Sequence, residues 1–151
     1  MRCGAYVILI ASFGFFSGCG HPVNGTWEGW IKTSEVTIDR FGRRTHRTET
    51  AEFGLVVKYD GEYLNGRVMW PPAMAETGDA RIILSKSFAG GTVLGEDTLV
   101  FRADTSTRSA PAIGHYEATI EGNAMSGTLT CIGEGYHDAS ALYGEFTLKR
   151  Q

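Results

Sequence analysis

Apolar and polar side chains alternate with a period of two along most of this chain. Phe53, Leu55, Val57 and Tyr59 share one parity, with Glu52, Gly54 and Lys58 on the other and Val56 as the exception. Leu64, Gly66, Val68 and Trp70 alternate with Asn65, Arg67 and Met69, and Leu99, Phe101 and Ala103 with Thr98, Arg102 and Asp104. Tyr116, Ala118 and Ile120 alternate with Glu117, Thr119 and Glu121. Met125, Gly127, Leu129 and Cys131 alternate with Ser126, Thr128 and Thr130, and Phe146 and Leu148 with Glu145, Thr147 and Lys149. Such alternation turns one face of each strand to a core and the other to water, the habit of antiparallel sheets. No stretch carries a convincing helical period, so the pattern predicts an all-β domain.

Turn formers separate these runs. Asp60-Gly61 and Glu121-Gly122 sit between strand pairs, Gly42 lies in a turn spanning 39–44, and Gly90, Gly91 and Gly95 punctuate the middle. Pro71, Pro72 and Gly78 bracket a non-strand connection over 71–80 that ends the strand at Trp70. Two hairpins match without gaps, 60–68 against 121–129: acidic, Gly, two free positions, apolar, small polar, Gly, one free position, apolar. Gly66 and Gly127 then mark places where a barrel wall bends or a bulky neighbour packs on backbone. The first strand changes parity, with Trp27, Gly29, Ile31 and Thr33 in one set and Val36 and Ile38 in the other. Either a bulge near Thr33–Glu35 or a strand end there reconciles the halves.

The N-terminus follows different rules. Met1 and Arg2 carry positive charge, residues 5–16 are uncharged and mostly apolar, and Ser17, Gly18 and Cys19 follow. A basic start, a short apolar run and small residues describe a secretory signal, and the run is too short to span a bilayer permanently. Phe16-Ser17-Gly18-Cys19 resembles the lipobox of bacterial lipoproteins, with Phe16 where Leu is usual. The resemblance implies a signal peptide over 1–18 and a lipidated N-terminal linker over 19–24, which leaves 25–151 as the domain of alternating strands, expected to be a β-barrel. It implies that Cys19 carries the membrane-anchoring lipid. With Gly20 rather than Asp after the Cys, it also implies an outer-membrane lipoprotein facing the periplasm.

Composition narrows the chemistry. In 151 residues, 42% apolar and 21% charged content excludes a disordered chain. A formal net charge of −3 leaves no electrostatic footprint for nucleic acid. Cys3 leaves with the leader and Cys19 goes to lipid, so Cys131 remains without a disulfide partner in the sequence, read as a small buried hydrophobe. His21, His46, His115 and His137 lack metal-ligand spacing; His115 and His137 are the pair with a route to meet across strands. Glu134, His137 and Ser140 lie too close in sequence to argue for a triad, and neither a nucleophile elbow nor a phosphate loop is present. The expectation is a non-enzymatic protein without cofactor or metal. Arg40, Arg43, Arg44 and Arg47 form a basic cluster at the first turn, read as a solvated hairpin tip or a contact for anionic head groups.

Gly25-x-Trp27 opens the first strand and Arg150 closes the last. This arrangement resembles the calycin superfamily of lipocalins, fatty-acid-binding proteins and avidins. There the Trp closes one end of an up-and-down barrel and an Arg from the last strand packs over it. The resemblance implies an antiparallel up-and-down barrel of about eight strands, with barrel closure by Gly25, Trp27 and Arg150; a β-sandwich is the alternative. Tyr59, Trp70, Phe101, Tyr116 and Phe146 fall on the candidate interior parity and are the ligand-lining candidates. One expected function is binding of a small apolar or amphipathic ligand. The other is an interaction or inhibitory module that contacts another envelope protein through loops 71–80 and 131–141.

Overall fold

The computed structural model describes residues 20–70, 86–104, 112–134 and 139–151. Cys19 and the residues before it, the 71–80 connection and His137 lie outside them. Nine strands follow in order: β1 (Gly25–Ile38), β2 (Arg44–Tyr59), β3 (Leu64–Met69), β4 (Lys86–Ala89), β5 (Gly91–Leu94), β6 (Thr98–Asp104), β7 (Ala112–Glu121), β8 (Ala124–Glu134) and β9 (Ala139–Arg150). All pairings are antiparallel, and they form one sheet in the order β4-β3-β2-β1-β9-β8-β7-β6-β5. The sheet curls into a nearly closed up-and-down barrel, as the alternation and the terminal motif predicted.

Closure comes from two places. The first strand pairs with the last, from Trp27 opposite Arg150 to Ile38 opposite Ala139. The two free edges of the sheet, β4 and β5, are consecutive in the chain, with Gly90 alone between them. Gly90 has φ +85°, a left-handed conformation that suits glycine, and its N–H donates to the Leu64 carbonyl at 2.9 Å. A single strand is bent there: its first half pairs with β3, its second with β6. The Phe88 and Phe101 rings stack across the seam at 4.1 Å.

The matched hairpins share more than their turns. Gly66 lies directly opposite Phe88, and Gly127 directly opposite Phe146. A Cβ on Gly66 would come 2.7 Å from the Phe88 ring, and one on Gly127 would come 2.5 Å from the Phe146 ring. In both copies a phenyl ring lies over bare backbone, so the repeated glycine is a packing surface.

The expected bulge is absent. The registers of β1 with β2 and with β9 run without interruption through Thr33, Ser34 and Glu35. Val36 and Ile38 point away from the core because the sheet has outrun it: their partners His46 and Arg44 on β2 belong to an exposed stretch over 44–50. Where neither face is buried, parity no longer selects side chains. The same overrun shortens the connection expected over 131–141, since β8 continues to Glu134 and β9 begins at Ala139.

Two aspartates hold turns at opposite ends of the barrel. Asp39 Oδ1 accepts from the N–H groups of Phe41 and Arg43, and Asp60 Oδ1 from those of Glu62 and Tyr63. Backbone donation, from Arg43 and from Tyr63 foremost, holds both carboxyls below their ordinary value. A depressed folded-state value stabilises these turns above the ordinary carboxylate range, and that contribution is lost as pH falls through the folded value.

Gly127→Ala would also drive its methyl inside van der Waals distance of the Glu117 carbonyl. Overpacking of this kind costs about 1–3 kcal/mol. Urea unfolding should show a correspondingly lower midpoint. Gly20→Ala, where nothing lies within 4 Å, should leave it unchanged.

Candidate functional site

One end of the barrel is sealed. Trp27 is 0% exposed, and its Nε1–H donates to the Val23 carbonyl at 3.2 Å. The Arg150 guanidinium lies over the indole, 4.4 Å from the ring centroid. Its Nη1 donates to the Asn24 carbonyl at 2.7 Å and its Nη2 to the Pro22 carbonyl. Gly25 sits under the same guanidinium, where a Cβ would be 3.5 Å from Nη1. The structure thus brings together the three residues Gly25, Trp27 and Arg150.

Residues 21–24 complete the seal. Val23 is buried, and the Asn24 side chain brackets the end of β2, with Nδ2 donating to Tyr59 O at 2.9 Å and Oδ1 accepting from Tyr59 N at 2.5 Å. His21 meets the Tyr59 ring edge-on at 4.8 Å. Sequence reasoning missed this plug. Its one signal was Val23, a lone apolar residue in a polar stretch.

The interior carries a column of rings. Phe88 stacks on Phe101, and Phe101 on Tyr116 at 4.9 Å with ring planes 3° apart. Tyr116 faces Phe53 at 6.3 Å, and Phe53 meets Phe146 at 5.2 Å and the edge of Trp70 at 4.9 Å. Of the five ligand-lining candidates, Phe101, Tyr116 and Phe146 are therefore buried within one cluster, and Trp70 packs half-buried at its margin. Tyr59 also packs half-buried against the cluster, but at the sealed end, with its hydroxyl donating to the Gly61 carbonyl at 2.8 Å.

Tyr116 is the anomaly of this interior. It is 1% exposed, yet its hydroxyl makes no hydrogen bond among the described residues. Burial pushes the phenol well above its ordinary value, against a pull from the nearby Trp70 indole N–H, which falls short of hydrogen-bonding geometry. The group is therefore a neutral donor at physiological pH. An unmet buried hydroxyl costs about 1–3 kcal/mol. One row farther from the sealed end, the four wall positions on β6 to β9 are Ala103, Gly114, Cys131 and Leu142, and the row continues to Glu35 on β1 and Arg47 on β2. Three of these four carry at most a small side chain, so bulky rings give way to a thinly lined wall next to the orphan hydroxyl.

No charged side chain is buried among the described residues, and no three His, Cys, Asp or Glu side chains converge there. His21 precedes β1, His46 lies on β2 and His115 on β7. Outside the barrel, an open groove of about 390 Å³ runs beside Asn24, Thr26, Val56, Lys58 and Asn65 at the sealed end, apart from the ring column.

Trp27→Ala should destabilise the fold by about 3–5 kcal/mol, the range for emptying a large aromatic site. Arg150→Met keeps bulk over the indole but gives up the cation–π contact and both carbonyl bonds, and should cost about 2 kcal/mol. Denaturant unfolding measures both. A loss under about 1 kcal/mol for Trp27→Ala would remove its closure role.

No family model, curated protein or solved structure matches the chain, so the reading of the site rests on its geometry.

Proposed function

We propose that the chain is a lipid-anchored lipoprotein of the bacterial cell envelope, tethered through Cys19, and that its barrel binds a small apolar or amphipathic ligand without catalysis. One observation carries the binding reading: the buried, unpartnered Tyr116 hydroxyl beside a wall of small side chains. The ring column fills the interior between Phe88 and Phe146, so the ligand belongs above it, toward the end opposite Trp27. A ligand that brings one hydrogen-bond acceptor to Tyr116, and otherwise apolar surface to Trp70 and the Ala103–Leu142 row, recovers the desolvation cost of the hydroxyl. The lipobox and the outer-membrane placement rest on the sequence resemblance.

A second reading, an interaction module that contacts another envelope protein, draws on Trp30. This residue is 58% exposed on the outer face of β1, between Thr147 of β9 and Glu52 of β2. Exposed tryptophans are favoured anchors of protein interfaces.

Native mass spectrometry of the chain purified from its own host tests the first reading, with a co-purifying mass of lipid size as the expected result. Tyr116→Phe should release that mass, with at least a tenfold loss of retention, while the unloaded protein keeps or gains stability because a buried orphan hydroxyl is gone. A bare mass, together with a partner protein crosslinked through Trp30, would favour the second reading. Independently, Cys19→Ala should shift the protein from the membrane fraction to the soluble fraction. Unchanged fractionation would refute the anchor.

A further inference from the structure

The hairpin between β1 and β2 is the most strongly basic feature of an acidic chain. The Gly42 N–H donates to the Asp39 carbonyl at 2.9 Å, and among the described residues only glycines have positive φ. Arg40 and Phe41 therefore occupy the centre of a type I turn, with Gly42, at φ +76°, following in the left-handed region. Asp39 spends its carboxylate inward, on the Phe41 and Arg43 amides and on Arg43 Nε at 2.7 Å. The turn pushes Phe41 outward to 68% exposure. Two guanidiniums flank its ring, Arg40 at 4.8 Å and Arg43 at 5.4 Å from the centroid. Arg47 pairs with Glu49 at 3.1 Å, whereas Arg40 and Arg44 make no ion pair among the described residues.

We propose that this tip, Arg40, Phe41, Arg43 and Arg44, docks on the surface of an anionic phospholipid bilayer, with Phe41 at head-group depth and the arginines on lipid phosphates. A guanidinium that packs on an aromatic ring can still donate from its edge to phosphate, which prepares Arg40 for that contact, while Arg43 keeps its Nε on Asp39. An aromatic ring ringed by cations is the arrangement that settles at a membrane interface. Size and shape argue against a protein partner. A stable protein interface needs about 800 Å² from each side, and a convex turn of a few residues falls far short, whereas a fluid surface conforms to it. Charge complementarity is local: the chain as a whole is −3 and is repelled by an anionic surface, so attraction must come from this tip. β1 spans 14 residues between residues 20–24 and the turn, about 45 Å of strand, so the tip engages a surface at the end of the barrel remote from the N-terminus.

The test uses the membrane-anchored chain held in zwitterionic nanodiscs, which keep its N-terminal anchor out of the measurement. Binding is read by co-sedimentation with vesicles of 70:30 zwitterionic to anionic phospholipid, or of zwitterionic lipid alone. Two uncompensated arginines should give about a thirtyfold preference for the anionic vesicles, erased in high salt. Arg40→Glu with Arg44→Glu should abolish the preference. Phe41→Ser should weaken anionic binding about tenfold and leave its salt dependence in place. All three positions are exposed, so the variants should unfold at the wild-type temperature. Absence of any anionic preference, or a charge-reversed double variant that binds like the wild type, would overturn the proposal. So would capture of an acidic protein by the tip in the absence of vesicle binding.

Discussion

The structure depends on β1 being paired along both edges. In the linear order of the sheet it stands between β2 and β9, so it joins the first half of the chain to the second. Every inward side chain inherits its place from that double register. Trp27 falls opposite Leu55 on one side and Arg150 on the other, and Ile31 opposite Ala51 and Phe146. A slip of one residue on either side would turn the rings outward and leave Trp27 without its guanidinium. The seam at Gly90 is secondary: it lets the sheet turn back on itself once β1 has set the register.

From that frame the barrel divides along its axis. At one end, Val23, Trp27, Asn24 and Arg150 lock into a plug of indole, guanidinium and backbone carbonyls. In the middle, phenyl rings lie on glycines contributed by neighbouring strands. Beyond them the wall thins to Ala103, Gly114 and Cys131, and the Tyr116 hydroxyl remains unmet. The proposed binding chemistry sits beside this row of small residues, away from the plug, in keeping with the general separation of rigid scaffold from working site.

Much of the fold was legible because alternation is a strong signal when a strand is long. β2, β3, β6, β7, β8 and β9 each announced their inward faces, and the matched glycines announced a close approach, though not that its occupants would be Phe88 and Phe146. β4 and β5 were illegible for a plain reason: four residues each, split by Gly90, show too little alternation to identify, and Phe88 went unnoticed with them. The bulge expected near Thr33 failed because it assumed a core under all of β1. Gly25, Trp27 and Arg150 were visible as a motif, whereas the contributions of Pro22, Val23 and Asn24 are backbone carbonyls and one amide, which composition does not reveal. Tyr116 was visible as an inward aromatic. That its hydroxyl lacks a partner follows only from the three-dimensional register.

The pairing of the first strand with the last also bears on how the chain can fold. Trp27 and Arg150 are separated by nearly the whole folded sequence, and this contact completes the sheet. Until the final strand has been synthesised and released, β1 has one bare edge and an indole without its cover. Pairing over such a span makes assembly slow, because β1 cannot close the sheet before β9 is available to it. A chain whose β9 has not yet formed therefore stays open, and the barrel closes only once Arg150 can reach Trp27.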